Sequence, residues 1–168
     1  FKTYRQKKII YFSLNNNFAI AFIYKNKAWL LTNLNKGEKV FRTFVNPALE
    51  QSGINKIIYL DIHKVLKTRA LQQKNHQVLF FDYKLLLVDS CFTGKTLSNH
   101  LQVDAVNFSH NPKLDLSKML KNCKTKILLM DGSNASYRIK AYNIVADKFK
   151  IPLYNLRIKE AYLVNLNK

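Results

Sequence analysis

Short apolar runs, none longer than a β-strand, decide most of what this chain can become. Lys8–Phe12, Ala19–Tyr24, Ala28–Thr32, Lys56–Leu60, Leu85–Val88, Ala105–Phe108 and Ile127–Met130 are each four to six residues long. Several are apolar at consecutive positions, the pattern of strands covered on both faces. None approaches the roughly 20 apolar residues of a membrane-spanning helix. At 168 residues the chain suits one domain, and its 48% hydrophobic content excludes a disordered protein.

The order of the runs predicts how they associate. Lys8–Phe12, Ala19–Tyr24 and Ala28–Thr32 read as a meander, the last two joined by the turn Lys25-Asn26-Lys27. Phe41, Phe44, Val45, Ala48 and Leu49 recur at helical spacing between Gly37 and Gly53 and predict one amphipathic helix. Ile62–Gln73 reads as irregular or partly helical. Val78–Phe81 and Leu85–Val88 predict a hairpin around Asp82-Tyr83-Lys84, and Leu114–Asn122 a helix. A further helix, capped by Asn134 or Ser136, runs to about Phe149 with Ile139, Tyr142, Val145, Ala146 and Phe149 on its apolar face. Pro152 stops it, and Pro152–Asn155 and Ala161–Leu166 close the chain as strands. Two β-rich halves, about 1–75 and 76–168, each closing on helices, predict an α/β fold of two packed sheets with helices outside. The first residue is Phe1 rather than Met, so residues 1–168 are expected to be a single domain cut from a longer protein.

The formal net charge is +18, from 28 Lys and Arg against 10 Asp and Glu. A field of that sign attracts polyanions, either nucleic acid or an anionic membrane surface. Only Arg5, Arg42, Arg69, Arg138 and Arg157 are arginines. Lysine acts on phosphate as a hydrated point charge, which suits contact without base readout. A composition rich in Lys and Asn is itself a second account of the charge. Cys91 and Cys123 form no zinc pattern and read as small buried residues.

Catalytic motifs are fragmentary. Asp89-Ser90-Cys91-Phe92-Thr93-Gly94-Lys95-Thr96 follows a strand and ends like a phosphate-binding loop, with Ile127–Asp131 as a possible partner strand. Asp89, however, stands where that loop needs its first glycine, adding a Cβ and a negative charge toward the ligand. His63, His76, His100 and His110 are isolated, with no pair at ligand spacing. No nucleophile elbow appears.

Read in order, the fragments resemble the metallo-β-lactamase-like domain of ComEC family competence proteins, the membrane channels for DNA uptake, from about Ile9 to Leu166. Leu14-Asn15-Asn16-Asn17-Phe18-Ala19 occupies the position of that family's opening VGQGDA loop. Gly53-Ile54-Asn55-Lys56 and Ile57–Leu60 match the approach to its SHxHxDH metal loop, where this chain reads Asp61-Ile62-His63-Lys64-Val65-Leu66. Leu85–Asp89 resembles the strand before the family's TGD. Asp104–Asn111 resembles DVLKVPHHGS, with His110 at the first His. Lys126–Met130 with Gly132-Ser133-Asn134, then Ile151–Tyr154 and Glu160–Leu163, resemble the closing segments, but Ser136-Tyr137-Arg138 lies where an HP pair belongs.

The resemblance implies a four-layer αββα sandwich of two mixed sheets. Its departures imply lost chemistry. The active family holds two divalent ions that activate water against phosphodiesters. Here the remnants are Asn15, Asp61, His63, Asp89, His110 and Asn134, too few to complete a binuclear site, and Lys64 repels a dication. The expectation is a domain without catalytic residues, bound metal or cofactor, and without a small-molecule substrate. His110 is expected to be a hydrogen-bonded structural residue. The resemblance further implies an inner-membrane protein whose channel portion lies in the same polypeptide, with this domain on the extracytoplasmic side. Lys64, Lys67, Arg69, Lys95, Lys113 and Arg138 are expected to line the former mouth and track single-stranded DNA without sequence preference. The competing expectations are a metal-dependent nuclease with unrecognised ligands and a purely structural domain.

Overall fold

The computed structural model describes residues 5–97 and 100–167. The first sheet is built from β1 (Lys7–Tyr11), β2 (Ala19–Tyr24), β3 (Lys27–Thr32), β4 (Lys56–Tyr59) and the last strand of the chain, β14 (Tyr162–Asn165). The second takes β5 (Leu66–Lys67), β6 (Leu71–Lys74), β7 (Gln77–Phe80), β8 (Tyr83–Val88), β10 (Ala105–Phe108), β12 (Ile127–Met130) and β13 (Leu153–Asn155). The short β9 (Leu101–Gln102) and β11 (Cys123–Lys124) pair with each other. The first sheet runs β14-β1-β2-β3-β4 and the second β13-β12-β10-β8-β7-β6-β5. Both are mixed: in the first, β14, β1, β2 and β3 pair antiparallel and β3 pairs parallel with β4; in the second, β5 to β8 pair antiparallel and β8, β10, β12 and β13 parallel.

Period-two alternation explains why so many strands are apolar at every position. In β1, Ile9 and Tyr11 face the second sheet, while Ile10 turns the other way; in β2 and β3, Ile20, Phe22 and Trp29 do the same against Ala21, Ile23 and Leu30. Tyr83, Leu85 and Leu87 of β8 meet the first sheet, and Leu86 and Val88 meet helices. One cluster therefore lies between the sheets. A second, with Val106, Phe108, Leu128 and Met130, packs against α2 (Leu116–Asn122) and α3 (Ser136–Lys148). A third packs the first sheet against a π-helical turn, Phe41–Val45, and α1 (Asn46–Gln51). The two packed sheets and outer helices agree with the α/β class predicted from sequence.

Several local expectations need correction. Ile62–Gln73 is irregular in part, as expected, but its regular pieces are strand rather than helix: β5 and β6 pair antiparallel, and β6 continues into a tight hairpin with β7. The division at 75/76 falls in that hairpin turn, inside the second sheet. The π-helical turn keeps Phe41, Val45 and Leu49 on the buried face but swings Phe44 to 57% exposure. Cys123 is buried as expected, but Cys91 is exposed, and both are free thiols.

Tyr11 and Tyr83 meet hydroxyl to hydroxyl at 3.2 Å inside the inter-sheet cluster. Burial pushes the Tyr83 phenol up to about 12 and raises Tyr11 well above the usual phenol range. Since the unfolded value is about 10, the folded state holds these protons more tightly. Their contribution is complete below about pH 10 and is lost as pH rises through about 12 for Tyr83. The urea midpoint is expected to fall steeply over that interval, and Tyr83→Phe to shallow the fall. An identical slope in the variant would show that Tyr83 does not titrate with unfolding.

Candidate functional site

Loops at the C-terminal ends of β4, β8, β10 and β12 converge on one end of the two sheets. Those after β4, β8 and β10 border a cavity of about 300 Å³ whose walls include Phe18, Leu31, Ile62, His63, Asp89 and His110. Ligand sites of parallel α/β sheets form at such strand ends. Beneath the rim lies a buried polar network centred on Asp131, which is 2% exposed. The Ser109 hydroxyl and Asn107 Nδ2 donate to its Oδ2, the latter at 3.1 Å. The Ser133 hydroxyl and the Ser133 N–H donate to Oδ1, the N–H at 3.0 Å. Burial raises the Asp131 carboxyl above the usual carboxylate range, and the donors from Ser109, Ser133 and Asn107 oppose that rise.

The network carries the rim. Asn134, expected as a helix cap, turns inward instead: its Nδ2 donates to Phe108 O at 2.7 Å and to Asp131 O at 3.0 Å. The start of α3 is served by Asn111, whose Oδ1 accepts from Ala135 N at 3.2 Å. His110 and Asn111 both hold left-handed backbone, at φ 57° and 55°. Such consecutive non-glycine residues persist only where surroundings fix them. Here Ser133 Oγ accepts from His110 N at 2.8 Å and Asn134 Oδ1 from Asn111 N at 3.1 Å. Arg157 was not singled out in the sequence. Its Nη1 donates to Gly132 O at 3.1 Å, Asn134 O at 3.2 Å and Asn16 Oδ1 at 3.3 Å, tying three loops together.

The residues expected at the mouth divide into two groups. Asp61, His63, Asp89, His110 and Asn134 sit on these converging loops, and Asn15 on the loop between β1 and β2. His110 is exposed and meets Phe18 edge-on at 5.3 Å between ring centroids. Asp61 folds its own loop, with Oδ1 accepting from His63 N at 2.9 Å. Lys64 follows on the same turn and pairs with Asp61 at 3.9 Å. Lys95 and Lys113 are exposed on adjacent loops joined by Gly94 N donating to Lys113 O at 3.0 Å. Arg138 lies on the first turn of α3, its guanidinium 5.4 Å from the ring centre of Tyr137, which is 63% exposed. The other two cations lie elsewhere. Arg69 lines a depression at the opposite end of the sheets with Arg5, Lys7, Phe81 and Asp82. Lys67 lies on the edge strand β5, beside an outer-face groove with Lys74 and Lys84. Alternation along so short a strand sends its neighbours away from the mouth, which sequence position alone does not reveal.

The phosphate-loop reading fails on geometry. Asp89 Oδ1 accepts from Cys91 N at 2.9 Å, closing Ser90–Phe92 into a 3-10 turn. Among the described residues no helix follows Gly94-Lys95-Thr96; the next regular element is β9. A phosphate would find neither a ring of free N–H groups nor a helix N-terminus.

A family model described as the ComEC C-terminal domain matches residues 9–166. The chain belongs to that family. No curated protein and no solved structure matches it. Membership places this ComEC C-terminal domain among competence proteins of the membrane and points to a role in DNA uptake. Among the described residues no helix is long and apolar enough to cross a membrane. One residue of this ComEC domain read from sequence only as an isolated histidine, with no partner at ligand spacing. His76 occupies the β6–β7 turn, and that turn sits against Asp89, with His76 Nε2 3.6 Å from Asp89 Oδ2. The only available signal was a polar Asn-His pair between two alternating runs, which marks a turn but no ligand.

Proposed function

We propose that this domain is a non-catalytic part of the DNA-uptake machinery, guiding single-stranded DNA by its phosphates across the rim above the cavity. What supports the reading is that Lys64, Lys95 and Lys113, on loops, and Arg138, on the first turn of α3, all follow strands at the cavity end of the sheets. Among the described residues only Lys64 of these has an acidic partner, and that pair is 3.9 Å long and largely solvated. Tyr137 beside Arg138 offers a face on which a base can stack, the combination used by proteins that bind single strands without sequence preference. The two-sheet fold with outer helices is consistent with a degenerate metallo-β-lactamase-like sandwich. On this reading the domain lies on the extracytoplasmic side of the inner membrane, next to the channel portion of the same polypeptide. The weak remnants of the family's metal loop support the absence of hydrolysis.

Titration against labelled single-stranded DNA over a salt series tests the placement. Each neutralised phosphate contributes about −0.7 to the slope of log K against log salt, so Lys64→Ala/Lys95→Ala/Lys113→Ala is expected to lower the slope by about 2. Arg5→Ala/Lys7→Ala/Arg69→Ala removes equal charge from the opposite end and is expected to leave most of the slope. Equal losses in both variants would make the domain a structural part of the channel, its charge a matter of composition.

A further inference from the structure

We propose that His76, Asp89 and Cys91 form a mononuclear zinc site at the edge of the cavity. One ligand atom from each lies within 4.8 Å of those of the other two. His76 Nε2 is buried and has no hydrogen-bond partner, an arrangement that carries a desolvation cost unless something outside the chain satisfies it. The Asp89 carboxylate faces it, with Oδ2 at 3.6 Å, too far for a hydrogen bond. That gap matches the edge of a zinc tetrahedron, in which a nitrogen and an oxygen each about 2.0–2.1 Å from the metal are about 3.3–3.4 Å apart.

The surroundings hold these atoms in place. Asp89 Oδ1 is occupied by Cys91 N at 2.9 Å, which leaves Oδ2 on the side of His76 and holds Cys91 within the 3-10 turn. The imidazole stands edge-on to Phe92, with centroids 5.2 Å apart, and His76 O accepts from Leu87 N at 2.8 Å. Both the ring and the carboxylate are about four-fifths covered, with exposures of 20% and 17%. Carboxylate and thiolate together supply two negative charges, which balance one divalent ion. A mixed nitrogen, oxygen and sulfur set favours zinc over magnesium, calcium or manganese. Three protein ligands leave a fourth position for water or an anion from the cavity. Only Asp89 belongs to the positions that the family resemblance marks; the other two ligands come from the β6–β7 turn and the 3-10 turn of this chain. A zinc here would pin the β6–β7 hairpin to the end of β8.

The test uses the purified chain, metal-stripped and kept reduced with a phosphine, without DNA, so that it succeeds or fails independently of the DNA reading. One equivalent of zinc per chain is expected. Cobalt(II) in its place should give the visible absorption of a tetrahedral ion and a thiolate charge-transfer band in the near ultraviolet. Cys91 is exposed, so Cys91→Ser removes the sulfur without disturbing packing and should abolish that band. His76→Gln and Cys91→Ser should each weaken zinc binding at least about tenfold, with unchanged far-ultraviolet dichroism reporting an intact fold. Zinc binding no tighter than that of the His76→Gln/Cys91→Ser double variant would overturn the proposal. So would a cobalt spectrum lacking the thiolate band in the unsubstituted chain.

Discussion

Gly132→Ala is expected to leave little folded protein. A Cβ at this position would stand 1.5 Å from Leu14 O, 2.7 Å from Leu14 C and 3.0 Å from Asn17 O, all backbone atoms. No side chain can swing aside to make room. The loop after β1 would have to retreat, and Arg157 holds that loop to the 131–134 segment through Asn16 and Gly132. Overpacking against backbone costs about 3 kcal/mol or more. That is a large share of the roughly 5–15 kcal/mol that keeps a domain folded. Urea unfolding should show a markedly lower midpoint at unchanged slope, or soluble yield should collapse. A midpoint within error of the unsubstituted chain would mean that the 131–134 loop does not rest on Leu14.

Asp131→Ala is expected to be nearly as damaging, through the opposite kind of defect. It strips the acceptor from Asn107 Nδ2, from the Ser109 and Ser133 hydroxyls and from Ser133 N–H, in a site closed to water. Orphaned buried donors cost about 1–3 kcal/mol each, offset in part by hydroxyl rotation, so a loss of roughly 3–5 kcal/mol follows. Asp131→Asn separates charge from shape. Because burial raises the folded pKa, the proton is held more tightly in the folded state. The carboxyl's contribution is then complete below the unfolded value of about 4 and is lost as pH rises through the folded value. The unsubstituted chain should lose stability relative to Asp131→Asn as pH rises above about 4. Parallel pH profiles for the two would show that the network, not burial, governs the proton.

The strands of the two sheets were legible because most of them lie between a sheet and a helix layer or between two sheets. A run such as Leu85–Val88, apolar at every position, has few other uses in a chain of this size. β6 was missed for a physical reason. Its inward positions are Leu71 and Gln73, and Gln73 is 2% exposed with Nε2 donating to Asp61 O at 2.6 Å and Lys64 O at 2.9 Å. A glutamine doing the work of backbone hydrogen bonding inside the core erases the hydrophobic alternation that marks a strand. The site was half legible. The family resemblance pointed to the loops after β4, β8, β10 and β12, of which the last three follow neighbouring parallel strands of one sheet. It could not foresee that a hairpin turn 13 residues before Asp89 folds back to present His76, since only pairing register reveals that approach.

The pairing of β1 with β14 has a mechanical consequence. Lys8 faces Asn165 and Leu166 N donates to Lys7 O at 2.8 Å, so residues 7 and 166 sit side by side at one corner of the first sheet. Tension applied between these two points acts on that outermost rung alone. The ladder between β1 and β14 would open like a zipper, one rung at a time, rather than resist in shear with all its bonds loaded together. β14 is an edge strand, and its release leaves β1 still paired with β2. Detachment of β14 would therefore need little force and would leave the β1–β2 pairing in place.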